Sequence, residues 1–382
     1  MTATSSMSDL VPLSTLLREW GRIGCIGFGG PPTHIALLRR LCVERRGWLS
    51  DAEFEDAVAA CNLLPGPAST QLAIYCAWRL RGRAGALVGG LAFVVPGLVL
   101  VVALAALFLA GSPPRWVRGA GAGAGAAVAA VAVHAGSSLL PPSWRRARGA
   151  LRARWLLYLA AGGVAAAWIG PWLVLILVGC GTLELLARRA RSSLAVLAAS
   201  APGTGGLLAL VWVAFKVGAL SNGGGFVIVP LMQADAVDRY RWLSAGRFLN
   251  AVALGQVTPG PVLHTVAAVG YAAAGVGGAL LAALVAFAPS FAFVLLGGAH
   301  FDRLRGNTSA RAFLDGAGPA AIGAILGSAI PLARALSQDW QYGVLAGAAV
   351  LLLGLRRGVV VTLVLAGCIG AVVALAGGPL PH

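Results

Sequence analysis

The sequence predicts an all-α polytopic membrane protein made of two copies of one module, inserted in opposite orientations and containing broken helices. Three observations lead to this prediction: little charge, an internal repeat, and an unequal distribution of arginine between matching loops. Of the 382 residues, 58% are hydrophobic and 11% are charged, whereas soluble proteins carry about 25% charged residues. A membrane-spanning helix needs about 20 apolar residues, and the uncharged stretch from Phe248 to Gly298 is long enough for two.

Apolar segments long enough to be spans follow one another along both halves of the chain. They cover residues 84–111, 119–140, 155–169, 171–187, 277–298, 312–336, 341–355 and 358–377. A motif-rich region precedes the first of these segments in each half, and the sequence leaves its number of crossings open. We therefore expect about 10 to 14 membrane-spanning segments, and we predict a multi-pass protein of the plasma (inner) membrane.

The net charge of +16 does not indicate a nucleic-acid partner. The arginines cluster in short loops between apolar runs, such as "RLRGR" at 79–83 and "RRARGALRAR" at 145–154, as the positive-inside rule requires. These loops lack interleaved aromatic residues and a soluble reading module. The six cysteines show no metal-ligand or redox spacing, so we expect no metal and no cofactor. We also recognise no signal peptide in the first 20 residues.

The chain contains an internal duplication. When the sequence is shifted by 194 residues, 16 of the 44 positions from Gly24 to Pro67 are identical without a gap. The matches include "WLS" at 48–50 and the triplet Pro-Gly-Pro. We predict an N-terminal repeat over 1–190, a cytoplasmic linker over 191–205 and a C-terminal repeat over 206–382.

Charge predicts that the two repeats are inverted. The loop "RLRGR" follows the first Pro-Gly-Pro segment and holds three arginines, whereas the matching loop "YAAAGVGG" holds none. Loops on the same side of a membrane should carry similar positive charge, so these two are expected on opposite sides. Inverted repeats are typical of secondary transporters, and the sequence therefore favours transport over catalysis.

Two kinds of helix break occur at matching positions of the repeats. One is Pro-Gly-Pro, and the other is a glycine cluster, "FGGPPTH" at 28–34 and "SNGGGF" at 221–226. Irregular backbone at membrane depth survives only against protein or a wet cavity, and helix N-termini bind anions. The predicted substrate-binding residues are Arg22, Gly29, Gly30, Asn62, Pro65, Gly66, Pro67, Ser69, Thr70, Gln71, Lys216, Gly223, Gly224, Gly225, Gln256, Thr258, Pro259, Gly260, Pro261, His264 and Thr265.

Some of these residues have alternative interpretations. Arg22 and Lys216 are repeat partners, and cations inside spans usually face a cavity or a partner; alternatively, Arg22 pairs with Glu19 or reaches the interface. The glycines also suit close helix packing. His34 and His264 are candidates for proton coupling, although neither matches a histidine in the other repeat.

The motifs "GFGGPPTHIALL", "NLLPGPASTQLA", "GALSNGGGFVIVPLM" and "LGQVTPGPVLHT" resemble those of the chromate ion transporter family in its long, two-domain form. Asn222 departs from the pattern, where an aromatic residue is expected. The resemblance implies chromate export from the cytoplasm, coupled to the proton gradient, which confers chromate resistance. Transport of sulfate or another oxyanion, or an anion channel, stays open as an alternative, and so does a homodimer. No enzymatic activity is expected.

Overall fold

The computed structural model describes residues 11–64, 66–109, 113–147, 149, 151–169, 173–188, 206–221, 226–298 and 307–381. These residues form helices and connecting turns and contain no β-strand. The predicted all-α fold is confirmed. The predicted linker over 191–205 lies outside the described residues, as do Pro65, Gly223, Gly224 and Gly225.

Helices follow one another through the described residues of the N-terminal repeat. They are α1 Leu13–Ile26, α2 Pro31–Arg39 with a π-helical turn Arg40–Arg45, α3 Asp51–Cys61, α4 Ala68–Phe108, α5 Arg115–Ala126, α6 Val128–Arg146, α7 Leu151–Val164 with a π-helical turn Ala165–Ile169, and α8 Leu173–Arg188.

The helices of the C-terminal repeat follow the same order. They are α9 Leu207–Leu220, α10 Ile228–Gln233 with a π-helical turn Ala234–Arg239, α11 Ala245–Val257, a 3-10 turn Val262–His264 leading into α12 Thr265–Gly297, α13 Thr308–Arg334, α14 Asp339–Ala349 with a π-helical turn Val350–Gly354, and α15 Val359–Leu375.

Among the described residues, four helical stretches are long and apolar enough to cross a membrane. They are Ala68–Phe108, Arg115–Arg146, Val262–Gly297 and Thr308–Arg334. The shorter helices Leu207–Leu220 and Val359–Leu375 are also apolar. These segments make the chain a multi-pass membrane protein, as predicted.

Helix α4 is a hairpin of two helices. Arg81 (φ −148°, ψ 24°) and Gly82 (φ 58°, ψ −148°) interrupt it, and a positive φ of this kind favours glycine. A methyl group on Gly85 would lie 2.3 Å from the carbonyl oxygen of Ala77, and one on Gly89 would lie 2.4 Å from the Ala77 Cβ. Residues 83–108 therefore fold back along residues 68–80.

Helix α12 contains the same hairpin. Ala274 (φ −154°, ψ 34°) and Gly275 (φ 62°, ψ −153°) break it with nearly the same dihedral angles. A methyl group on Gly278 would lie 2.3 Å from the carbonyl oxygen of Gly270. Gly275 follows Gly82 by 275 − 82 = 193 residues, so the repeat continues past Pro-Gly-Pro with one residue fewer in the second half.

The two repeats interleave in space. Helix α15 packs on α5, since a methyl group on Gly123 would lie 2.1 Å from the carbonyl oxygen of Ala366. Helix α8 packs on α13, where Arg188 forms a 2.8 Å ion pair with Asp315. The last helix of each repeat thus packs against a helix of the other repeat. The repeats are duplicated in sequence, but neither forms a separate body within the described residues.

Candidate anion site at the broken helices

Both Pro-Gly-Pro triplets interrupt the chain directly before a helix. Pro67 is the N-cap of α4, and Pro261 precedes the 3-10 turn that leads into α12. The central glycines have positive φ values, 116° at Gly66 and 88° at Gly260. Gly66 and Pro67 of the first triplet and all three residues of the second are buried in protein, which is the environment that irregular backbone at membrane depth requires.

The first turn of α4 has fewer free amide groups than the N-terminus of a helix usually offers. The backbone N–H groups of Thr70 and Gln71 both donate to the carbonyl oxygen of Pro67, at 3.0 and 3.1 Å. They are therefore not available to an anion. The cause is local, because the carbonyl of the N-cap residue accepts the first bonds of the helix.

Each Pro-Gly-Pro break lies against the first helix of the opposite repeat. The backbone N–H of Gly260 donates to the carbonyl oxygen of Gly27 over 2.9 Å. A methyl group on Gly66 would lie 3.3 Å from the carbonyl oxygen of Gly218, and one on Gly260 would lie 3.7 Å from that of Gly24. Gly24 and Gly218 are repeat partners, so the two breaks have equivalent neighbours.

One side chain folds back to the central glycine of each triplet. Gln71 Nε2 lies 2.7 Å from the position of a methyl group on Gly66, and His264 Cε1 lies 3.1 Å from the equivalent position on Gly260. Both side chains are fully buried. With the one-residue shift after the triplets, Gln71 and His264 occupy equivalent places and give the two breaks different chemistry.

A cleft lies where the glycine break of the first repeat meets the Pro-Gly-Pro break of the second. Predicted residues from both repeats line it, namely Gly29, Gly30, Gln256, Thr258 and Gly260. Phe226, Gly255, Val262 and Val359 complete its wall. The site predicted from the two motifs is therefore brought together in space.

Several fully or largely buried polar groups near the breaks have no hydrogen-bond partner among the described residues. They are the hydroxyls of Thr70, Ser221 and Ser290 and the Nε2 group of Gln256. A buried polar group without a partner costs about 1–3 kcal/mol, and such groups in native proteins call for an explanation. A polar ligand or water that visits the breaks supplies one.

His34 joins the glycine break of the first repeat to its Pro-Gly-Pro helix. Its Nε2 lies 2.9 Å from the carbonyl oxygen of Gly27, and its Nδ1 lies 3.3 Å from Ser69 Oγ. Nε2 must donate to the carbonyl, so Nδ1 of a neutral ring accepts from the serine hydroxyl. The ring also packs edge-on against Phe93 at 5.0 Å. This network positions the break.

Lys216 is buried and forms an ion pair with Asp235. The pair joins α9 to the π-helical turn after α10, across the glycine break of the second repeat. Sequence reasoning did not find Asp235, because its repeat partner is the apolar Leu41. An acid inside the apolar run "VIVPLMQADAV" was the available signal.

Arg22, Asn62 and Thr265 are not among the residues that line the cleft. Arg22 is exposed on α1, and the proposed pairing with Glu19 is not formed, since Glu19 bonds Arg46 at 2.6 Å. Asn62 is exposed at the end of α3, unlike its partner Gln256. Thr265 donates to the carbonyl oxygen of Val262 at 2.8 Å.

Comparison with known proteins identifies the family. The chromate transporter family matches residues 14–185 and 208–372, one region in each repeat. The chain belongs to the chromate transporter family. It is 32% identical to the chromate transport protein of Cupriavidus metallidurans, over 97% of this chain and 94% of that protein.

Other relatives match different shares of the chain. The chromate transport protein of Pseudomonas aeruginosa is 29% identical over 88% of this chain and 86% of its own length. An uncharacterized transporter of Bacillus subtilis is 41% identical over 22% of this chain and 42% of its own length. No solved structure matches the chain. These relatives are transporters, and the bacterial ones fit an inner-membrane location.

Proposed function

We propose that the chain exports chromate from the cytoplasm by using the proton gradient, and that this export confers chromate resistance. The family membership and the names of the relatives supply the substrate. The observation that carries the mechanism is the crosswise contact of the breaks, in which Gly260 donates to Gly27 and Gly66 faces Gly218. A site built at this contact changes when one repeat moves against the other, as alternating access requires.

The contact between α4 and α12 supports the inverted arrangement of the repeats. A methyl group on Gly90 would lie 2.5 Å from Cε1 of Phe291, and Phe291 corresponds to Leu98 (291 − 193 = 98). If α4 and α12 were parallel, repeat-equivalent residues would lie opposite each other. In an antiparallel pair, a residue before the crossing point of one helix instead lies opposite a residue after the crossing point of the other. Antiparallel packing of this kind corresponds to a pseudo-two-fold axis between the repeats that lies in the membrane plane.

Anion binding at the cleft rests on neutral donors. Lys216 is already neutralised by Asp235, and Arg22 is exposed. Gln256 and Thr258 line the cleft and are buried. The Gln256 Nε2 group has no partner among the described residues, and the Thr258 hydroxyl, which donates to the carbonyl oxygen of Gly255 at 3.2 Å, would exchange that bond for one to the anion. Neutral donors release a doubly charged solute more readily than a fixed cation does. The membrane potential then assists export, at about 2.3 kcal/mol per charge per 100 mV.

The test is chromate uptake by inside-out vesicles with and without an imposed proton gradient. We expect uptake that a protonophore strongly reduces and that saturates with chromate. Vesicles from cells that lack the protein are the control. Absence of chromate uptake by the wild-type protein would contradict the proposed substrate.

The same vesicles separate the alternatives. Faster uptake of sulfate than of chromate would show that sulfate is the preferred substrate. Uptake that is independent of the proton gradient and does not saturate with chromate would show that the protein is an anion channel. Neither result depends on a variant, so each alternative is decided on the intact protein.

A further inference from the structure

The last helix, α15, begins at the wall of the cleft. Its first residue, Val359, lines the cleft together with Gly30 and Gln256. The empty space within the cleft and at its open mouth is about 300 Å³, about ten times the volume that one water molecule occupies in the liquid. A tetrahedral oxyanion of five heavy atoms therefore has room beside the start of α15.

The start of α15 carries backbone N–H groups without an acceptor. The first backbone bond of the helix runs from the N–H of Thr362 to the carbonyl oxygen of the N-cap residue, Gly358, over 3.1 Å. The N–H groups of Val359, Val360 and Val361 precede that bond, and no described residue accepts from them. Because the N-cap is a glycine, no side chain caps this helix of 17 residues. Its N-terminus therefore keeps its partial positive charge.

An unpaired amide lies in the wall of the same cleft. The Gln256 side chain is 7% exposed, and its Nε2 group has no hydrogen-bond partner among the described residues. An unpaired buried donor costs about 1–3 kcal/mol, and an acceptor that enters the cleft removes this cost. An anion with several oxygens can accept from the amide and from the start of α15 at once.

The segment that leads into α15 is positively charged. Arg356 and Arg357 are exposed and directly precede Gly358. The backbone N–H of Arg357 donates to the carbonyl oxygen of Leu351 over 2.8 Å, which holds the segment against the π-helical turn after α14. Positive charge beside a cleft raises the local concentration of anions. The positive-inside rule assigns such a loop to the cytoplasmic side, from which an exporter takes its substrate.

We propose that the N-terminus of α15 binds the transported oxyanion in the cleft, with the backbone N–H of Val359 and the Gln256 amide as donors. This inference rests on the proposed function and deepens it, because it names the groups that hold the anion and the side from which the anion enters. A helix N-terminus recognises an oxyanion through its charge and its oxygens. Neutral donors of this kind need no fixed cation in the cleft.

Proline at position 359 removes one N–H group and keeps the helix. Proline is favoured at the first position of a helix, and the ψ of 147° at Gly358 lies in the range that a residue before proline prefers. For Val359→Pro we expect the chromate concentration at half-maximal uptake in inside-out vesicles to rise about 10-fold, because a hydrogen bond to a charged group is lost. Val359→Ala keeps the N–H and should raise this concentration less.

Ala245→Pro is the matched control. Ala245 is the first residue of α11, and the residue before it, Ser244 (φ −68°, ψ 161°), has nearly the same backbone conformation as Gly358 (φ −67°, ψ 147°). Ala245 is not among the residues that line the cleft. Ala245→Pro should therefore keep the wild-type half-saturating concentration, and both proline variants should keep the wild-type melting temperature.

Aspartate at the same two positions tests the charge. An acid in the first turn stabilises a helix, so Val359→Asp should not lower the melting temperature. Its carboxylate repels the anion and accepts from the same N–H groups, so we expect loss of chromate uptake. Ala245→Asp places the same charge at the start of α11 and should transport chromate like the wild type.

The outcomes distinguish this inference from the proposed function. A wild-type half-saturating concentration in either Val359→Pro or Val359→Asp would overturn the inference while chromate transport itself persists. Weaker uptake only in variants that melt at lower temperatures than their Ala245 controls would also overturn it. A wild-type protein that takes up no chromate would instead contradict the proposed function.

Discussion

The two repeats bridge their glycine breaks with ion pairs of opposite polarity. In the first repeat, the acid Glu19 lies on α1 and its base Arg46 follows the π-helical turn after α2. In the second repeat, the base Lys216 lies on α9 and its acid Asp235 lies in the π-helical turn after α10. Each pair joins the helix before the break to the segment after it.

Burial distinguishes the two pairs. The Lys216 and Asp235 side chains are 7% and 5% exposed, whereas Arg46 is 41% exposed and Glu19 9%. Exposed pairs contribute about 0–1 kcal/mol, while removal of one partner from a buried pair costs roughly 3–5 kcal/mol. Duplicated modules can therefore keep an ion pair across an equivalent helix break while they exchange the positions of its acid and base and change its contribution to stability.

The largest effect is expected from breaking the buried pair. Lys216→Ala and Asp235→Asn should each lower the free energy of unfolding by roughly 3–5 kcal/mol, and we expect Lys216→Ala to abolish transport. Arg46→Ala in the first repeat should cost about 1 kcal/mol or less. Melting temperatures of the purified proteins and chromate uptake check this order.

The double variant Lys216→Met/Asp235→Leu sharpens the result. It removes both charges and should recover most of the lost stability, because neither charge is left unpaired. Recovered transport would show that the ion pair serves only to hold α9 against the π-helical turn after α10. A stable but inactive double variant would instead place Lys216 on the anion path. Normal transport in Lys216→Ala would remove this lysine from the site.

A second prediction uses the difference between His264 and Gln71. Because only the imidazole carries a basic nitrogen that can accept a proton, His264→Gln should make the two breaks alike and abolish the response of uptake to the proton gradient. Chromate–chromate exchange across the vesicle membrane should continue. His34→Gln is the comparison, since His34 is bonded to Gly27 and Ser69.

The outcome assigns the coupling residue. Gradient-driven uptake that persists in His264→Gln but is lost in His34→Gln would move the proton to His34. Gradient-driven uptake that persists in both variants would exclude the two histidines as proton carriers.

The smallest effect concerns the N-caps of α3 and α11. Ser50 forms a complete capping box with Glu53, whereas Ser244 accepts only one bond, from the N–H of Arg247 at 3.4 Å. Ser50→Ala should therefore cost about 1 kcal/mol and Ser244→Ala less. Melting temperatures measure both, and an equal or larger effect at Ser244 would contradict the comparison.

The capping box also has a pH dependence. The backbone N–H of Ser50, followed by its side chain, lowers the pKa of Glu53 below its usual value. The stability that the ionised Glu53 side chain contributes is fully present above the usual carboxylate pKa. It is lost as the pH falls through the lowered pKa that Glu53 has in the folded protein. The difference between wild type and Ser50→Ala should therefore shrink in acid.

The features predicted correctly were those that leave a local pattern in the sequence. The helices after Pro67 and Pro261, the all-α fold and the apolar segments were predicted, because charge scarcity and helix-breaking residues are local signals. Gly30, Gln256 and Thr258 were predicted as substrate-binding residues because both repeats carry helix breaks, but which break meets which was not predicted.

The hairpin turns at Gly82 and Gly275 lie in the matching loops "RLRGR" and "YAAAGVGG" that the sequence predicts after each Pro-Gly-Pro segment. Two kinds of feature could not be read from the sequence. The interleaving of α8 and α15 depends on tertiary packing. The side-chain contacts of Asp235 and Ser290 also depend on the fold, because Asp235 pairs with Lys216, 19 residues earlier in the same repeat, and Ser290 faces Gly66 of the other repeat.

The central claim is that residues of both repeats hold the anion where a glycine break meets a Pro-Gly-Pro break. An experimental density map of the protein with chromate bound tests it most directly, because chromium stands out from the lighter atoms around it. We predict a chromium peak in the cleft lined by Gly30, Gln256 and Thr258. A peak held by residues of one repeat alone, or on the lipid-facing surface, would contradict the account.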